Sequence, residues 1–227
     1  MAQKPILYYT AISPPARAVL LTAKEIGVDL ELRNIDLLKG EHRTPEFIKM
    51  NPQHTIPTLD DNGTIVYDSH AINEYLVDKY AKDDKLFPKD LAKRAQVVAR
   101  LHYDTGFLFA RLRFLYEPVL YHGSTDCSID KIAYIQKTYD TMESFLKDSD
   151  YLCGDSLTIA DLSCVATITS GNDVAPIDGT KYPKLLAWID RLAELPYYKE
   201  LNQEGADDLK KLFKEKLTNS PQWDPKR

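Results

Sequence analysis

Three groups of residues in this chain are of types that chemistry can use. The first is Ser13-Pro14-Pro15. It is set between an apolar strand signal, Ile6 to Tyr9, and the helical spacing of Ala16, Val19, Leu20, Ala23 and Ile26. A hydroxyl there stands at a helix start, where unpaired amides and the helix dipole favour an oxygen or an anion. Proline suits the positions that follow, because the first helical turn offers no partner for its amide. On the corner alone two readings stand: Ser13 caps the helix, or it holds a reacting group. The second group is Leu157-Thr158-Ile159-Ala160-Asp161-Leu162. There Thr158 can cap the Asp161 amide, the Asp161 carboxylate can return to the Thr158 amide, and Leu157 and Leu162 are spaced as a hydrophobic staple. That pattern is read as a folding device, not as a catalytic site. The third group is Cys127, Cys153 and Cys164, which form no CxxC pair and no metal-ligand spacing. An odd number of such thiols fits a reducing, cytoplasmic setting without disulfides, and no metal is expected.

These groups need elements to position them. At 227 residues the chain is long for one core and short for two full-sized domains of ~100–200 residues each. A net charge of −5 argues against nucleic-acid binding, which needs a basic face. No apolar stretch approaches the ~18 residues of a membrane span, so no membrane partner is expected. The start MAQKPILYY lacks the apolar core of a signal peptide.

The strand Ile6 to Tyr9 leads into a helix that Gly27 closes. Residues 29 to 37 alternate as a second strand, and Thr44-Pro45-Glu46 opens a short helix that Asn51-Pro52 breaks. Thr58-Leu59 and Ile65-Val66-Tyr67 flank Asp-Asp-Asn-Gly, a hairpin turn. Ser69 is expected to cap a helix running to Ala81. The order β-α-β-α-β-β-α thus occupies residues 1–82, with a polar linker at 83–90. Beyond it only helical patterns follow, at 89–121, 129–147, 158–170, 183–195 and 206–217. Glu117-Pro118 is expected to kink the first of these. The tail TNSPQWDPKR reads as a mobile end. Residues 91–227 are therefore expected to form an all-α domain.

Taken together, Ser13-Pro14-Pro15, Gly-Glu-His at 40–42, Asn-Pro-Gln-His-Thr-Ile-Pro at 51–57, Asp-Ser-His-Ala-Ile at 68–72 and Thr-Ile-Ala-Asp at 158–161 resemble the cytosolic glutathione transferases. Among these the insect delta and epsilon classes are most similar, epsilon above all. The resemblance runs from Ile6 to about Phe213. It implies an α/β plus all-α protein: a thioredoxin-like N-terminal domain, an all-helical C-terminal domain and a homodimer.

In thiol redox proteins of this fold a cysteine occupies the first strand–helix corner. Ser13 stands there instead, which disfavours a glutaredoxin-type redox role and implies that the thiol comes from glutathione. A free thiol has a pKa of ~8.5. A hydroxyl bonded to a charged acceptor contributes roughly 1.5–3 kcal/mol and a helix N-terminus about 0.3–1 kcal/mol. Their sum lowers the thiol pKa by ~1.5–3 units. The resemblance further implies that Asp68 meets the glutathione ammonium and Ser69 its γ-glutamyl carboxylate. It places His42 and His54 at the glycine end, with His70 and Arg113 as further contacts. Thr55, Ile56 and Pro57 would form the loop whose Ile56 backbone pairs with the cysteinyl residue like an added strand, with Ile56-Pro57 cis. Asp68 is one methylene shorter than the glutamate common in relatives, and His70 replaces an arginine. In FLFARLRFLYEPVLY, residues 107–121, the stripe Phe109, Leu112, Tyr116 and Leu120 would floor an open apolar pocket, with Leu37 across the cleft. The implied function is conjugation of glutathione to small hydrophobic electrophiles such as plant toxins, lipid-peroxidation aldehydes and insecticides. The alternative is a ligand-sequestering member of the fold with little turnover.

Overall fold

The computed structural model describes residues 3–218. Ile6 and Leu7 bury to start β1, Ile6–Tyr9, and the chain enters α1, Pro14–Glu25, through the Ser13 corner. Gly27, at φ +72°, ends that helix in the left-handed region that glycine enters without a Cβ clash. β2, Glu31–Asn34, is shorter than the expected 29–37. The Ile35 amide still reaches the Tyr9 carbonyl, but Asp36 then accepts from the Leu38 and Lys39 amides and turns the chain away. Thr44 caps α2, Pro45–Met50. β3, Thr58–Asp61, and β4, Thr64–Tyr67, are joined by Asn62 and Gly63, both at positive φ as a two-residue hairpin requires.

α3, Ser69–Tyr80, corrects one expectation. Its N-cap is Asp68, whose carboxylate accepts from the His70 and Ala71 amides, so Ser69 is the first helical residue and not the cap. Asp68 sits at φ +75°, a costly conformation for a residue with a Cβ. At the other end of the hairpin the buried Asp61 carboxylate accepts from Lys79, Tyr75 and Tyr80 and ties the C-terminal part of α3 to β3. Burial alone would raise the Asp61 carboxyl; those bonds and one from Asn62 outweigh it and hold its pKa at about 2.

The sheet order is β2-β1-β3-β4, with β1 and β2 parallel and the other pairs antiparallel. With its flanking helices this is a thioredoxin-like domain. The register pairs Tyr9 with Asn34, Tyr8 with Thr58 and Thr58 with Tyr67. The ends of β1, β2 and β4 and the start of β3 therefore share one end of the sheet.

The rest of the described chain is helical. α4, Leu91–Tyr103, and α5, Phe109–His122, were expected as one helix; a π-helical segment, Asp104–Leu108, separates them, and α5 runs on through Pro118. α6, Ile129–Phe145, α7, Ile159–Gly171, α8, Pro183–Ala193, and α9, Glu204–Thr218, follow. A second π segment, Lys199–Gln203, precedes α9. The expected linker is pinned: Leu86 and Phe87 are buried against Val97, Leu101 and Ile159, and the Ile159 amide donates to the Leu86 carbonyl. α7 is buried along nearly its whole length and packs on α1. The Asp161 carboxylate accepts from the amide and hydroxyl of Thr158, from the Leu152 amide and from Trp188 Nε1, so the expected capping box is also a core anchor. The tail from residue 219 lies outside the described residues.

Candidate active site

The loops leaving one end of the sheet carry Ser13 after β1, Leu37 and His42 after β2, the 54–57 loop before β3, and Asp68-Ser69 after β4. Sheet register alone gathers these segments of the N-terminal domain. Ser13 caps α1: its hydroxyl oxygen accepts from the Ala16 amide at 3.4 Å. A hydroxyl that accepts one bond still has its proton to donate. Capping and holding an anion are therefore compatible at this residue.

None of the three cysteines offers a ready thiolate. All are free, and burial raises each thiol: Cys127 upward, Cys153 to about 11, and Cys164 well above its usual value.

Ser69 is buried at the N-terminus of α3 beside the exposed Asp68. The His42 and His54 rings lie 6.1 Å apart, and His54 holds φ +45°. Burial, then Arg43, then His54 lower the His42 pKa, so the ring is neutral near pH 7. His42 Nε2 faces Arg43 Nε at 3.3 Å, while its Nδ1 is buried with no partner among the described residues. Thr55 is exposed, Ile56 half-buried, and the Ile56-Pro57 bond is cis.

His70 is not an open contact. Its Nε2 lies 3.0 Å from Asp104 Oδ2 and its Nδ1 3.1 Å from Thr105 Oγ1, which joins the start of α3 to the first π segment. Burial would lower its pKa, but Asp104, Asp68 and Glu74 outweigh that and raise it. Arg113 is exposed and engaged with Glu117 one turn on, which raises its pKa.

The open apolar floor needs correction. Leu112 and Tyr116 are 3% and 4% exposed and Leu120 8%, all within the helical core. Tyr116 stacks on Phe213 and donates to the Ser170 carbonyl, because this stripe of α5 faces α7 and α9. Phe109 and Leu37 are half-buried. The large apolar side chains left exposed in this stretch are instead Phe107, Phe114 and Tyr121. Phe107 stacks on Tyr103, and Arg111 lies over Phe107 and Tyr134.

Three residues that the sequence reading passed over matter most. Arg17, fully buried in α1, donates to Asn202, Ala11, Ala166 and Ser170, Asp104 meets His70, and Asp61 anchors α3. No local pattern marks any of them.

This architecture defines a class: a thioredoxin-like domain joined to a helical one, with a hydroxyl at the first strand–helix corner and no activated thiol among its three cysteines. Residues 7–84 match the glutathione S-transferase N-terminal domain and residues 125–196 the glutathione S-transferase C-terminal domain. Glutathione S-transferase 1 of Manduca sexta is 46% identical over 214 residues, which cover 93% of this chain and 98% of that one. An epsilon-class glutathione S-transferase of the housefly, Musca domestica, has a TM-score of 0.92 at 45% identity and covers 94% of this chain and 98% of its own. A glutathione transferase homologue of Drosophila mojavensis, solved with bound glutathione, has a TM-score of 0.91 at 45% identity, covering 94% and 97%. The chain belongs to the glutathione S-transferase family. It is a glutathione transferase, with insect epsilon- and delta-class enzymes as its structural relatives.

Proposed function

We propose that this enzyme ionises the glutathione thiol through Ser13 and transfers the sulfur to small hydrophobic electrophiles as a detoxifying reaction. The sheet register carries the reading, because it brings a helix-capping hydroxyl, a second helix N-terminus and the loops of two neighbouring histidines to one end of the sheet. The Ser13 hydroxyl donates to the sulfur while its oxygen keeps the Ala16 amide. Ser69 and the α3 N-terminus hold the γ-glutamyl carboxylate, and the exposed Asp68 faces the ammonium. His42, with His54 and Thr55, takes the glycine carboxylate. The Ile56 backbone, ahead of Pro57, pairs with the cysteinyl residue beside β3.

The electrophile rests against Leu37 and Phe109, the half-buried members of the expected pocket. His70 acts from behind, through Asp104, and not by touching glutathione. Residues 1–82 and 91–227 serve as the two domains, and the enzyme works as a cytoplasmic homodimer. The drosophilid homologue with bound glutathione supports the choice of co-substrate.

The test is conjugation of glutathione to 1-chloro-2,4-dinitrobenzene, in which the thiolate attacks the chlorine-bearing carbon and chloride departs. Ser13→Ala is expected to keep glutathione affinity and lose most of the rate. Equal rates for both proteins would reduce Ser13 to a helix cap. Binding without turnover by wild type on this and a panel of aldehydes and peroxides would favour sequestration.

A further inference from the structure

Arg17 is 1% exposed, among the largest fully buried side chains of the described protein. Its acceptors are all neutral. Nε donates to Asn202 Oδ1, Nη1 to the Ala11 carbonyl and Nη2 to the Ala166 carbonyl, each at 3.0 Å, and Nη2 also meets Ser170 Oγ. Among the described residues no carboxylate forms an ion pair with it. Burial pulls its pKa down to about 10, which leaves it charged at neutral pH. Two titratable groups face it, Tyr116 of α5 and Tyr198 ahead of the second π segment, and burial raises both phenols, so they stay neutral there. Of the acids behind them, Asp173, sensed by Tyr116, is paired to Lys210 and Lys214, and Asp190 is sensed through Tyr198.

A buried cation without a counter-ion costs stability, and apolar residues of similar volume often serve a domain contact as well or better. Its placement suggests why the charge is kept. Side chains on a helix lean toward its N-terminus, and Arg17 reaches back past its own turn to the Ala11 carbonyl, two residues before Ser13. Gly205 closes the same spot from the start of α9: a Cβ there would meet the Ala11 carbonyl and the Arg17 side chain. The corner presenting Ser13 is thus fixed between a buried cation and a glycine.

We propose that Arg17 is a positioning residue of the Ser13 corner, clamping Ala11 and leaving its unpaired buried charge to be answered by the thiolate held there. The proposal rests on the Ser13 reading above. Asn202→Asp tests it by placing a carboxylate on Arg17 Nε without touching α1. The variant is expected to fold, with a melting temperature at or above wild type, and to bind glutathione about as tightly. The acidic limb of its kcat/KM profile is expected to move up by roughly 0.5–1 pH unit, a loss of about threefold to tenfold near pH 6. An unchanged profile in the folded variant would overturn the proposal and leave Arg17 as a domain contact.

Should Asn202→Asp not fold, Arg17→Lys and Arg17→Met give the second comparison. The profile of the Met variant is expected to lie further upward, and equal profiles overturn the proposal. Ser13→Ala is measured alongside. If it shifts the limb and Asn202→Asp does not, the Arg17 proposal alone is wrong. If Ser13→Ala leaves the limb in place, the Ser13 reading fails and Arg17 goes with it.

Discussion

Asp61→Asn should destabilise the protein without harming its chemistry. The carboxylate takes Lys79, Tyr75 and Tyr80 on one oxygen and Asn62 on the other. Holding its pKa at about 2 against the usual 3.8 corresponds to roughly 2 kcal/mol at ~1.36 kcal/mol per pKa unit. The Lys79 side chain is 43% exposed, so water screens part of this and we expect a loss of about 1–2 kcal/mol. In a chain of this size that lowers the melting temperature by about 2–8 °C. A depressed carboxyl pKa stabilises the fold above the unfolded value of 3.8, and the contribution is lost as pH falls through about 2. Urea unfolding of both proteins near pH 7, 5 and 3 should therefore show a gap that is constant at the upper two values and narrows at the lowest. Asp61 lies at the opposite end of α3 from Asp68, so kcat/KM of the folded enzyme should stay within about twofold. A gap below about 0.5 kcal/mol near pH 7, or one that does not narrow toward pH 3, would refute the reasoning.

Other changes have equally definite outcomes. Replacing His70 by Gln breaks the bridge to Asp104 and should cost about 1–3 kcal/mol near pH 6. Because the His70 pKa is raised, its contribution is complete below the ordinary 6.5 and fades as pH climbs through the folded value, so the urea-measured gap should shrink by pH 9. Thr158→Ala should cost about 1 kcal/mol in thermal unfolding with glutathione affinity unchanged; a selective loss of affinity would contradict the folding role. Gly205→Ala should lower kcat more than it raises the glutathione KM, since the added methyl presses on the Ala11 carbonyl; unchanged steady-state kinetics would show that the corner yields freely.

Local patterns made the N-terminal domain legible. Asn62-Gly63 between alternating runs names its hairpin, and Thr44-Pro45 names the start of α2, because turn and cap chemistry is written within a few residues. Asp68 as the cap of α3 was hidden, since a serine beside an aspartate offers two N-caps and only the backbone geometry chooses. The π segment at Asp104–Leu108 interrupts a continuous apolar periodicity that reads as one helix. Likewise, Leu112, Tyr116 and Leu120 form the same stripe whether it faces a core or a cleft. Arg17 was the hardest to see: an arginine beside an apolar stripe reads as exposed, and its burying partners Asn202 and Ala166 lie 185 and 149 residues away. Ser13, His42 and Asp68 could be nominated from resemblance, but it is the strand register that shows why their loops share one end of the sheet.

The central claim is that Ser13 makes the bound thiol acidic, and the most direct measurement is the thiolate ultraviolet absorbance of enzyme-bound glutathione titrated against pH. A free thiol near ~8.5 lowered by ~1.5–3 units should be half-ionised between about pH 5.5 and 7 on the wild-type enzyme. In Ser13→Ala the midpoint should rise by about 1–2 units, the share of the hydroxyl bond. The same midpoint in both proteins, or a wild-type midpoint near that of free glutathione, would contradict the account.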